Sequence, residues 1–77
     1  MNYKNEWLRN VNRVVDIHKN GKKIYERCFV KNVDIKNFTL FIITAEGKDI
    51  TLSMGKNMAI VKYPSETLFK VNGKVVA

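Results

Sequence analysis

The chain has little of what usually carries chemistry. A single cysteine, Cys28, in 77 residues excludes an internal disulfide, and with one histidine, His18, it leaves no cluster of zinc-site spacing. A reducing compartment is the expectation. Of four glycines, Gly47 and Gly55 stand isolated, without the glycine-rich loop and lysine spacing that cradle a phosphate. The one proline, Pro64, cannot extend a strand ladder and closes an apolar run. No segment approaches the roughly 20 apolar residues that span a bilayer. The first residues, Met1 to Trp7, lack the apolar core of a signal peptide. A cytoplasmic, non-membrane protein is expected, and no motif calls for a cofactor or metal. Acids are scarce as well, seven against fourteen Lys and Arg, for a formal net charge of +7 and a pI of about 9.8.

What is present is a hydrophobic fraction of 45%, which suits one small folded domain and is too high for a disordered chain. The basic residues are spread, with seven cations and three acids between Met1 and Arg27. More than half of the net charge therefore lies in the first third. Such a surface attracts polyanions and releases counterions on binding them.

The periodicity is mostly that of strands. Tyr3, Trp7, Leu8 and Val11 mark one face of a short N-terminal helix, with Asn2 or Asn5 as its cap. From residue 13 the pattern alternates, interrupted by Asn20-Gly21, a type I′ hairpin signal. A two-residue loop pairs Lys19 with Lys22, His18 with Lys23, Ile17 with Ile24 and Asp16 with Tyr25. Residues 38–44 form the most apolar strand, residues 49–54 alternate cleanly, and residues 58–63 end at Pro64. A second tight hairpin is expected around Asn72-Gly73. The expected fold is mainly β: a short N-terminal helix and a five-stranded SH3-like or Sm-like barrel over 1–64, with a C-terminal hairpin extension over 65–77.

The second strand carries the candidate site. With a period of two, Lys23, Tyr25, Arg27, Phe29 and Lys31 share one face, where cations meet phosphates and rings meet bases. Glu26 then lies on the apolar face, where an unpaired carboxylate is costly. A bulge near Glu26 resolves the conflict, turns Phe29 inward and divides the stripe. Asp16, His18 and Cys28 do not form a catalytic set, because the hairpin places Cys28 on the opposite face; Cys28 reads as a small buried hydrophobe. No enzymatic activity is expected.

A helix followed by five strands, Asn20-Gly21 between the first two, Val33-Asp34 ahead of Asn37-Phe38-Thr39-Leu40, and Lys56-Asn57 at a later connection resemble the Sm-like family of Hfq and Sm/LSm proteins. The glycine expected in the second strand is replaced around Glu26 and Arg27, and the Tyr-Lys-His triplet of Hfq is Gly55-Lys56-Asn57. The resemblance implies a ring-shaped homo-oligomer, with Asn37 contacting a base and Lys56 a phosphate. The expected function is thus a non-enzymatic nucleic-acid-binding protein, for RNA or single strands. The same features also fit a small protein-interaction module, such as a phage- or plasmid-borne inhibitor covering an acidic protein surface, or an oligomeric binder of small nucleotides.

Overall fold

Asn20 and Gly21 adopt φ of 53° and 78°, the left-handed pair that a type I′ turn requires. They join β1 (Val14–Lys19) to β2 (Lys22–Asp34), in a computed structural model that describes residues 7–77. β3 (Thr39–Ile43), β4 (Asp49–Ser53) and β5 (Met58–Lys62) complete one antiparallel sheet in the order β4-β3-β2-β1-β5. β6 (Lys70–Val71) and β7 (Lys74–Val75) form the expected C-terminal hairpin.

The inner face gathers Val15 and Ile17 from β1, Cys28, Val30 and Val33 from β2, and Leu40 and Ile42 from β3, all buried. Ile50 and Leu52 of β4 and Met58 and Ile60 of β5 pack against them. All five strands thus wrap one core, and each fully buried aliphatic side chain contributes roughly 1.5–3 kcal/mol. β4 pairs only with β3 and β5 only with β1. The sheet therefore curls around its core, but no ladder joins β4 to β5: of the expected five-stranded barrel the five-stranded antiparallel sheet is present, and no closed barrel is found among the described residues.

The expected N-terminal helix lies largely outside the described residues, as do Tyr3, Asn2 and Asn5; Trp7 and Leu8 are helical, and from Arg9 to Asn12 the chain forms successive turns. The N–H groups of Asn10, Val11 and Arg13 donate to the carbonyls of Trp7, Leu8 and Asn10, and beyond Leu8 every regular element among the described residues is a strand. Trp7 and Val11 nevertheless pack against the core.

β2 departs most from simple alternation. Lys22 and Lys23 pair with Lys19 and His18 as expected, but Tyr25 then lies opposite Ile17, Cys28 opposite Val15 and Phe29 opposite Val14. One extra residue enters at Ile24 and another at Glu26-Arg27, and a third register shift between β2 and β3 accommodates Lys31. Each bulge exchanges the faces of the residues beyond it. The inward set becomes Tyr25, Cys28, Val30 and Val33.

The outer face is covered in part by the C-terminal segment. Phe69 is 1% exposed and stacks on Phe29 with ring centroids 5.2 Å apart and planes inclined by 25°. Val14, at 5% exposure, pairs with Phe29 beneath it. Backbone bonds clamp the segment: Phe69 N–H donates to Ala77 O at 2.8 Å, Val76 N–H to Phe69 O at 2.9 Å, and Asn72 N–H to Ala45 O at 3.0 Å.

Candidate nucleic-acid interface

The seven sequence-predicted site residues fall into separate environments. Tyr25 is half-buried against the inner core, because the extra residue at Ile24 turns it inward. Phe29 is half-buried against Phe69, not because the bulge turns it inward, as expected, but because the two insertions cancel and leave it on the outer face, where the C-terminal segment covers it. The expected shared exposed face of Tyr25 and Phe29 is therefore corrected. Lys31 donates to Asp49 Oδ1 at 3.0 Å.

Lys23 and Arg27 belong to a polar cluster centred on Asp16, which is only 8% exposed. Arg27 adopts φ of 50°, which aims its N–H at Asp16 Oδ1, 2.9 Å away. The Tyr63 hydroxyl donates to the same oxygen at 2.8 Å. Lys23 Nζ stands 3.4 Å from Asp16 Oδ2 and 2.9 Å from Glu26 Oε1. Burial pushes the Asp16 carboxyl up, but the Arg27 N–H, the Tyr63 hydroxyl and Lys23 together outweigh it and hold the carboxyl below its ordinary value. The Glu26 hydrogen bond, followed by the Asp16 charge, raises the Lys23 ammonium. The Arg27 guanidinium lies 4.9 Å from the centroid of the Tyr63 ring, a cation–π contact. This bulge leaves Glu26 exposed and resolves the conflict that its position in the strand pattern creates.

The turns that carry Asn37 and Lys56 do come together, at the end of the sheet where three turns meet. The Asp34 carboxylate accepts from Asn37 N–H at 3.2 Å and from Asn37 Nδ2 at 2.8 Å. The side-chain amide, then the backbone N–H, holds Asp34 below its usual range and fixes the 35–38 turn. Phe38 closes that turn with φ of 51°; its N–H donates to Ile35 O at 3.3 Å, and its carbonyl accepts from Met54 N–H at 2.8 Å. At the other end of the same connection, Asn57 O accepts from Asn20 N–H at 2.9 Å. Three residue steps separate Met54 from Asn57, at most about 11 Å of chain. The 20–21, 35–38 and 54–57 turns are therefore neighbours.

The neighbouring turns at this end carry, on or beside them, four lysines and an aromatic ring. Lys19, Lys22, Lys36 and Lys56 are exposed, and none is ion-paired with a described residue. Phe38 is 58% exposed. Lysines offer mobile charges to phosphate oxygens, and an exposed ring offers a face on which a base can stack. The alternation puts Phe38 on the face of Leu40 and Ile42 and so conceals its exposure; the signal that was present is its position at the end of the turn fixed by Asp34 and Asn37.

Cys28 is buried, and its Sγ lies 3.5 Å from Val15 O. Burial pushes its thiol up to about 12, far from a nucleophilic thiolate. Among the described residues, no group of three or more His, Cys, Asp or Glu is placed to hold a metal ion, and no helix is long and apolar enough to cross a membrane. No family model, curated protein or solved structure matches the chain.

Proposed function

We propose that this is a non-enzymatic nucleic-acid-binding protein that takes RNA or single-stranded DNA at the three-turn end of its sheet. The observation that supports this reading is that three neighbouring turns carry, on or beside them, the exposed Lys19, Lys22, Lys36 and Lys56 and the exposed ring of Phe38. The lysines neutralise successive phosphates and Phe38 stacks on an unpaired base, a combination that favours single strands over a duplex. Asn37, with Nδ2 held by Asp34, retains its side-chain carbonyl for a base edge. Lys23 and Lys31 contribute less, because each already faces a carboxylate.

An Sm-like architecture is part of the same reading. The strand order β4-β3-β2-β1-β5, the short 54–57 connection between the two edge strands and the Val33-Asp34 approach to Asn37 support it. In a ring of copies, the free edges of β4 and β5 pair with one another. Light scattering tests this directly: a defined oligomer is expected, and a monomer at all concentrations removes the ring.

Binding is tested by fluorescence anisotropy with labelled single-stranded RNA, single-stranded DNA and duplex at two salt concentrations. Single strands should bind tighter than duplex, and the affinity should fall with salt. No binding to any of the three at low salt ends the proposal. A partner that survives nuclease treatment in a pull-down assigns the basic end to an acidic protein surface instead.

A further inference from the structure

The opposite end of the sheet carries a different arrangement. Where the C-terminal segment folds back over β1 and β2, it leaves a cleft of about 420 Å³ between itself and the β3–β4 turn. That volume lies within the roughly 300–1,000 Å³ of small-molecule sites. Phe69 and Val14 form its buried floor, and Leu68, 56% exposed, forms an apolar lip. Arg27 and Lys70 bring positive charge to it, Asn72 an amide, and Glu46 a carboxylate.

Arg27 is held ready for an anion. Its backbone sits in the left-handed region at φ of 50°, a conformation that costs a non-glycine residue of order 1–3 kcal/mol and marks a position worth testing for function. Asp16 accepts from the Arg27 N–H and the Tyr63 hydroxyl while its charge faces Lys23. The Arg27 guanidinium is left with the Tyr63 ring as its neighbour and without a carboxylate partner among the described residues. A guanidinium lying over a ring still presents its donor edge, with a geometry that matches phosphate oxygens. Lys70 is likewise exposed and free of ion pairs with described residues.

We propose that this cleft binds a nucleoside monophosphate, with the phosphate on Arg27 and Lys70 and the nucleoside against Leu68. Glu46 repels a bare anion but accepts hydrogen bonds from ribose hydroxyls or a base amino group. A ligand with one anionic end and one donor-rich end satisfies all three charged groups. The ligand is either a free nucleotide or the phosphorylated terminus of a strand, since both present the same chemistry. The cleft is distinct from the three-turn end and stands or falls separately from it.

The test is a titration of the full chain, labelled with nitrogen-15, with adenosine 5′-monophosphate, inorganic phosphate and adenosine in parallel. The monophosphate should give saturable shifts of the Lys70, Asn72 and Gly73 amides, with phosphate weaker and adenosine weaker still. Arg27→Gln and Lys70→Gln should each weaken binding by about tenfold or more, while Lys56→Gln leaves it unchanged. If Arg27→Gln fails to fold, Lys70→Gln reads the same contact from an exposed strand end. A 5′-phosphorylated oligonucleotide that shifts these amides more strongly than its unphosphorylated form assigns the ligand to a strand terminus; equal shifts from both leave the free nucleotide. Absence of shifts at millimolar monophosphate, shifts confined to residues 35–38 and 54–57, or unchanged affinity in both variants overturns the proposal.

Discussion

Asp16 illustrates how one buried carboxylate organises its neighbours. Its hydrogen bonds and the Lys23 charge hold the folded-state carboxyl below its ordinary value, so its contribution is fully present above the unfolded-state value and is lost as pH falls through the folded value. Urea unfolding at pH 7 and pH 3 should therefore show a loss of stability on acidification that is smaller in Asp16→Asn. Tyr63→Phe removes one donor to the same oxygen and should cost about 1–2 kcal/mol at pH 7; an unchanged urea midpoint would show that this bond contributes nothing. Cys28 makes the opposite case, since burial keeps its thiol protonated, with a value of about 12. Iodoacetamide should leave the native protein unmodified and label it at the rate of a free thiol in urea. The inward position of Cys28 was legible from the hairpin alone. The acceptor role of Asp16 was legible only in part: its place diagonally across from Arg27 follows from the turn, whereas Tyr63, 47 positions away, carries no local signal.

At the scale of elements, the turns were readable and the bulges were not. Asn20-Gly21 fixed the Lys19–Lys22 and His18–Lys23 pairs because few residue pairs tolerate positive φ at both positions. Beyond them, Ile24 and Arg27 are inserted without a glycine to announce either, so a strict period of two misplaces Tyr25; the two insertions cancel for Phe29, which stays on the outer face. Glu26 was the one local conflict that pointed to a bulge. The 3-2-3 spacing of Tyr25, Cys28, Val30 and Val33 records the extra residues at Glu26-Arg27 and at Lys31, but only once the core is known. The two-residue strands β6 and β7 likewise hide that Phe69 lies at the centre of a second buried cluster. Phe69→Ala should cost about 3–5 kcal/mol and speed amide exchange at Asn72 and Val76; exchange that stays at the wild-type rate would mean the segment is held by its backbone bonds alone. Gly47 ties the β3–β4 turn to the same hairpin. Its φ is +85°, and a Cβ there meets Val71 Cγ1 at 2.9 Å, whereas a Cβ on Gly21 at φ +78° meets nothing within 4 Å. Both alanine variants incur the left-handed cost of roughly 1–2 kcal/mol, and Gly47→Ala adds an overlap with a stiff β-branched side chain. Gly47→Ala should have the lower urea midpoint, and equal midpoints would show that the hairpin yields freely.

For the molecule as a whole, the decisive property is where a net charge of +7 is left uncompensated. Lys23 and Lys31 are matched by carboxylates, Arg27 and Lys70 line the cleft at the far end, and Lys19, Lys22, Lys36 and Lys56 lie at or beside the three neighbouring turns without an ion-pair partner among the described residues. Four phosphate contacts on a single strand correspond to a slope of about −3 in log affinity against log salt, or roughly a fifty-fold loss between 50 and 200 mM. Lys56→Gln should weaken binding to every sequence alike and make that slope shallower by about 0.7. Phe38→Ala acts through stacking, not charge. It should leave the slope unchanged while lowering single-strand affinity by roughly five-fold or more, with little effect on duplex. The two variants thus separate the two terms in one titration series. A wild-type slope near zero would remove the lysines from the interface, and a Phe38→Ala protein that binds single strands as tightly as wild type would leave the charged end as a phosphate-binding surface with no reading of unpaired bases.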